Sequence, residues 1–249
     1  MQKILIASLL LFFSTAWAQE IAPLVQNGVV VPTTSSLYRS IAQLDMGTGR
    51  CSASFLNSTT LLTAGHCTGH RSAAGMKVRV RDAQGVWHEQ TASLVVTHPG
   101  YKLWKEGAAT RVVFDFGVVK LAAPFLFAVR PLKMVDPSGA KGVFRIKVSG
   151  YGRYASGRNS SVLRQGVMLA QVARLPQFGG GEGMEMVPDG APGQATCPGD
   201  SGGPVLENAT LPSRLLGVNS MSNGCNGLVD SHSYALIPAS VYTWIARYL

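Results

Sequence analysis

Three residues of the 249-residue chain have the types that acyl transfer needs: Ser201, His66 and Asp115. Ser201 sits in Cys197-Pro198-Gly199-Asp200-Ser201-Gly202-Gly203-Pro204. Glycine on both sides lets another backbone come close. The N–H groups of Gly199 and Ser201 could then form an oxyanion hole. A serine hydroxyl is a weak nucleophile and needs a base beside it. His66 follows an apolar run, Leu61-Leu62-Thr63-Ala64-Gly65, and precedes Cys67, which can pin it. Asp115 lies between Phe114 and Phe116 at the head of an apolar strand, where an acid must find a partner or lose its charge. Taken singly, each has a plainer reading: a glycine turn beside a disulfide, a structural histidine, a turn aspartate. The weight comes from all three together.

The segments that must position them read as strands. Short apolar runs separated by turn residues recur at Ser40–Asp45, Ser52–Leu56, Thr60–Thr63, Lys77–Arg81, Ser93–Thr97 and Phe116–Leu121. Val78-Arg79-Val80-Arg81 alternates as a half-buried strand does, and Asp82–Gly85 reads as a turn into Val86–Glu89. A connector at Val135–Gly139 leads to a second series: Phe144–Ser149, Val162–Ala173, Met184–Val187, Pro204–Leu206, Leu215–Asn219 and Ser233–Ile237. In the last segment Val241, Trp244, Ile245 and Tyr248 fall at helical spacing. The expected fold is all-β, with two six-stranded antiparallel β-barrels and a C-terminal α-helix. The expected order is a signal peptide over 1–18, an arm over 19–36, a first barrel over 37–137 with His66 and Asp115, a second over 138–237 with Ser201, and a helix over 238–249.

Composition supports a β-rich, turn-rich exported protein. Charged residues are 14% of the chain and glycines number 28. Met1-Gln2-Lys3, the apolar run Ile4–Phe13 and Ala16-Trp17-Ala18 form a signal-peptide pattern, too short for a membrane anchor. Its removal takes only Lys3 from the charge count, from +9 to +8. The basic residues are scattered and no nucleic-acid motif accompanies them, so nucleic acid is not an expected partner. Four cysteines in an exported chain imply two disulfides with three open pairings. We take the local one, Cys51 with Cys67 and Cys197 with Cys225. Zinc is not expected, since no C-x-x-C pair or matching histidine spacing occurs.

The stretches Thr63-Ala64-Gly65-His66-Cys67, Asp115 with its apolar strand, and Gly199-Asp200-Ser201-Gly202-Gly203-Pro204 resemble the chymotrypsin–trypsin family of serine proteases, in the family's order with gaps of 49 and 86 residues. Ser149-Gly150-Tyr151-Gly152 adds to the resemblance, which covers residues 37–249. It implies a secreted endopeptidase, extracellular or periplasmic, with Ser201 as nucleophile, His66 as base and Asp115 as the group that orients the histidine. It also implies protein or peptide substrates, a proteinaceous inhibitor as a further partner, a monomer and no cofactor. Ser220 matches the family serine that supports the aspartate.

In the specificity pocket the resemblance puts Ala195 at the floor, Thr196 and Ser222 on the walls and His232 near the base. That set points to an uncharged or acidic P1 side chain. A small register error would put Asp230 there instead and reverse the sign. No basic residue precedes an Ile-Val-Gly-Gly-like segment, so the family's usual partner for Asp200, a freed N-terminal ammonium, has no obvious source. Two rivals stand beside this reading. An α/β-hydrolase needs a helix after the serine and the order Ser, acid, His, which the chain does not offer. The other is an inactive protease-fold binding module for anionic surfaces.

Overall fold

Alternating burial builds the strands. In Lys77–Arg81 the two valines are fully buried and the basic residues between them face outward. In the computed structural model, residues 27–153, 160–190, 193–208, 214–223, 225, 233–236 and 241–249 are described. The expected signal peptide, Asp230 and His232 lie outside them.

The first sheet has seven antiparallel strands. Their order is Trp87–Thr91, Lys77–Arg81, Ile41–Asp45, Arg50–Phe55, Thr60–Thr63, Gly117–Lys120 and Leu94–Thr97. No ladder joins its two end strands, but Ala92 and Ser93 join them covalently. Ala92 N–H donates to Met76 O and Ser93 N–H to Lys120 O. Residues 87–97 are thus one bent strand that changes partner at its middle, and the barrel closes through the chain. The second sheet closes by hydrogen bonds. Arg164–Leu175 pairs with both Val143–Gly150 and Gly181–Pro188, and Pro204–Glu207, Arg214–Ser222 and Ser233–Leu236 complete the circle. The all-β class with two barrels stands.

Three details differ from the expectation. Part of the arm is a strand: Val29–Val30 pairs with Gln165 and Arg164 of the second barrel. Lys133–Met134, counted above with the first barrel, pairs in parallel with Arg214 and Leu215 of the second sheet. A hairpin of Lys102–Glu106 and Ala109–Val113 pairs with the sheet of neither barrel; its first strand is exposed throughout, so no alternation marks it in the sequence.

The described C-terminal helix is short, Tyr242–Ala246. Its stripe docks as expected, with Val241, Trp244 and Ile245 buried. The helix belongs to the second half of the chain yet its end is tied to the first barrel. Thr60 Oγ1 and Lys120 Nζ both donate to Tyr248 O, at 2.9 and 2.8 Å. Cations at a helix C-terminus are favoured by its exposed carbonyls. Both expected disulfides are present, Cys51–Cys67 in the first barrel and Cys197–Cys225 in the second.

Candidate active site between the barrels

Asp115 and His66 come from the first barrel. Asp115 lies two residues before the strand Gly117–Lys120, which pairs with Thr60–Thr63, and His66 lies in the single helical turn after that partner strand. The carboxylate has no solvent exposure. Its Oδ1 accepts from the backbone N–H of His66 at 2.6 Å, and its Oδ2 meets His66 Nδ1 at 2.8 Å. Ser220 Oγ, from the second barrel, donates to the same Oδ2 at 2.6 Å. Gly65 packs tightly here: a Cβ would lie 3.1 Å from Asp115 Oδ1 and 3.0 Å from Phe116 N.

Burial works against the His66 imidazolium, but the Asp115 charge and its hydrogen bond outweigh it, so His66 titrates above its ordinary range. Cys51 and Cys67 lie beside His66. Joined in a disulfide, they offer no thiolate to a metal.

Ser220 reaches Asp115 by an irregularity. The register between Arg214–Ser222 and Ser233–Leu236 shifts between Asn219 and Met221, which leaves Ser220 as the extra residue. Such a bulge re-aims a side chain.

Ser201 comes from the second barrel on a turn with φ +101° at Gly199 and +77° at Gly202, values that favour glycine. Three N–H groups of this turn are used. Asp200 N–H donates to Cys197 O, Gly202 N–H to Asn219 O and Gly203 N–H to Asp200 O. Among the described residues, the N–H groups of Gly199 and Ser201 have no acceptor. Two unspent donors, one either side of Asp200, are what an incoming oxyanion needs. Ser201 Oγ makes no hydrogen bond to His66 among the described residues; such bonds often tighten only when substrate arrives.

Asp200 is 2% exposed. Gly152 N–H reaches its Oδ1 at 2.8 Å and Cys197 N–H its Oδ2 at 2.9 Å. Gly150 and Gly152 press on the carboxyl so closely that a Cβ at either would collide with it. Burial pushes its pKa up to about 6 against those two hydrogen bonds. Among the described residues no cation pairs with it.

Ser52 carries no functional signal in the sequence. From the first barrel it donates its N–H to Ser201 O at 2.8 Å and its hydroxyl to Gly199 O at 3.0 Å, while accepting from Tyr151 N–H. It fastens the serine turn to the opposite barrel. Its neighbours in sequence give no sign of this, since its hydroxyl bonds span 99 and 147 residues.

The expected specificity residues are only partly brought together. Ala195 and Thr196 are buried, and Thr196 Oγ1 shares a 2.7 Å hydrogen bond with Ser233 Oγ, a hydroxyl the sequence reading did not name. Ser222 pairs with Ser233 across the sheet but is exposed. It opens on a cleft of about 420 Å³ with Gln177, Tyr234 and the hairpin residues Ala108–Arg111. A second cleft, of about 670 Å³, holds His66, His98, Tyr101 and Leu103. The hairpin therefore walls both clefts.

The Trypsin family profile matches residues 26–245. Trypsin delta of Drosophila erecta is 26% identical over 233 residues, which cover 88% of this chain and 87% of the relative. Trypsin alpha-4 of Lucilia cuprina is 27% identical over 226 residues, 88% of this chain and 85% of the relative. Trypsin epsilon of Drosophila erecta is 28% identical over 214 residues, 81% and 78% respectively. These likenesses span both barrels and the cleft between them, and with the two-barrel architecture they place the chain in the trypsin-like serine protease family.

Proposed function

We propose that the chain is a secreted serine endopeptidase, with Ser201 as nucleophile, His66 as general base and Asp115 as the group that orients it. The observation that carries this reading is the Asp115 carboxylate, fully buried and tied to His66 through both oxygens. With Nδ1–H committed to Asp115, the lone pair of His66 lies on Nε2. That nitrogen takes the proton of Ser201 as Oγ attacks the scissile carbonyl carbon. Negative charge gathers on the carbonyl oxygen, and the unspent N–H groups of Gly199 and Ser201 receive it. His66 then gives its proton to the leaving amine, leaving an acyl-enzyme. Water, activated by the same Nε2, releases the acid product. Trypsin relatives favour a peptidase over the anionic-surface binding module.

A fluorophosphonate probe tests the reading. Wild-type protein with both disulfides formed is expected to label, and Ser201→Ala is not. Absence of label on the wild type would overturn it. Neutral His66 is the working form and its pKa is raised, so kcat/KM should climb through a midpoint above the ordinary histidine value of about 6.5.

Ala195, Thr196, Ser222 and His232 remain the proposed lining of the P1 pocket. Ala195 at the expected floor and the buried hydroxyls of Thr196 and Ser233 favour an uncharged or acidic P1 residue. Cleavage of a peptide library mainly after Arg or Lys would reject that preference. Export is proposed from residues 1–18; among the described residues no helix is long and apolar enough to cross a membrane.

A further inference from the structure

Asp115 is preceded by a residue in an unusual conformation. Phe114 has φ +47°, in the left-handed region that a bulky side chain rarely enters. Phe116 N–H donates to Phe114 O at 2.7 Å, closing a three-residue turn with Asp115 at its centre. The direction of the Asp115 side chain is therefore set by a turn that opens on a strained residue. Strain of this kind persists only where surrounding contacts over-determine it.

Those contacts come from His98. Its ring stacks on Phe114, with centroids 4.8 Å apart and planes 16° apart. The same ring also packs T-shaped against Trp244, from the C-terminal helix, with centroids 4.8 Å apart and planes at 72°. The His98 ring is itself held, since Nδ1 accepts from Gly100 N–H at 3.1 Å. Its backbone N–H donates to Phe116 O at 2.9 Å, so His98 grips both ends of the turn. Gly100 leaves no slack: a Cβ there would lie 2.8 Å from Phe114 Cδ2. Phe114 is 43% exposed, so core burial alone does not hold it in place.

We propose that His98 is a positioning residue for the proposed reaction: clamped by Trp244, it stacks on Phe114 and keeps the left-handed turn that aims Asp115 at His66. It shares a cleft with His66 but, in this role, acts through Phe114. The inference rests on the triad reading above.

The test uses the full disulfide-bonded chain. His98→Ala and Phe114→Ala each remove the stack but keep a Cβ at the left-handed position, and each should lower kcat about tenfold with KM nearly unchanged. Glycine enters that region freely. Phe114→Gly should therefore lose less kcat than Phe114→Ala, and adding Phe114→Gly to His98→Ala should raise kcat again. The melting temperature of that double variant should stay at or below that of His98→Ala, which separates positioning from packing. Wild-type kcat in His98→Ala, or equal losses in Phe114→Ala and Phe114→Gly, would overturn the inference. Phe114→Ala and Phe114→Gly alter a half-exposed residue, so that pair decides the matter even should His98→Ala fail to fold. Fluorophosphonate labelling of the wild type, run alongside, separates failure of this inference from failure of the triad reading.

Discussion

The molecule buries two carboxylates about the same cleft and uses them differently. Asp115 receives a backbone N–H, a ring nitrogen and a hydroxyl, so its bonds hold side chains. Asp200 receives two backbone N–H groups and holds main chain. The first arrangement would set the tautomer of the proposed base. The second shapes a turn whose remaining N–H groups stay free. Side-chain partners can change protonation during a reaction, whereas backbone amides cannot. In the proposed reaction the first barrel supplies the group that accepts the proton, and the second supplies the nucleophile on a fixed frame of backbone N–H groups.

The largest expected break of that contrast is Asp115→Asn. It should lower kcat about 10⁴-fold, because the amide favours the wrong histidine tautomer, with the fold retained by circular dichroism. Next is the pH response of Asp200. Its folded pKa, about 6, is raised above the ordinary carboxylate value of 3.8. Its contribution to stability is thus full below about pH 3.8 and lost as pH rises through about 6, about 3 kcal/mol in all. Denaturant midpoints of wild type against Asp200→Asn across pH 4–8 should differ in slope with that sign; parallel curves would remove Asp200 from the account. Ser220→Ala deletes one hydrogen bond to a charged acceptor and should cost about 2 kcal/mol, read as a fall in kcat of about thirtyfold. The smallest effect is expected for Ser52→Ala, about 1 kcal/mol in denaturant stability, with kcat falling more than KM rises. A KM effect alone would show that Ser52 does not hold the serine turn.

His66 links the two frames through pH. Its raised pKa means that the Asp115 pair stabilises the fold fully below the ordinary histidine value and less as pH rises through the folded one. Stability from this pair and neutral His66 therefore peak on opposite sides of the same titration.

Much of this was legible in the chain itself. Alternation in Lys77–Arg81, the glycine turn around Ser201 and the helical stripe of Val241, Trp244 and Ile245 are local patterns, and each occupies the kind of element expected of it. Pairing of Cys51 with Cys67 and of Cys197 with Cys225 followed from short separations. The exposed hairpin at Lys102–Val113 was missed because nothing on it alternates. Ser52, the bulge that turns Ser220 inward and the His98–Phe114–Trp244 stack were invisible for a different reason. Ser52 and Trp244 meet partners more than 120 residues away in the chain, and the Ser220 bulge is a one-residue register shift, which reverses the face a side chain takes without any mark in composition. Residue types and order determined what chemistry the chain could do. Only the closure of two barrels against each other decided which hydroxyl, which amide and which ring would hold Asp115 and Ser201 in place, because those contacts exist only once distant strands meet.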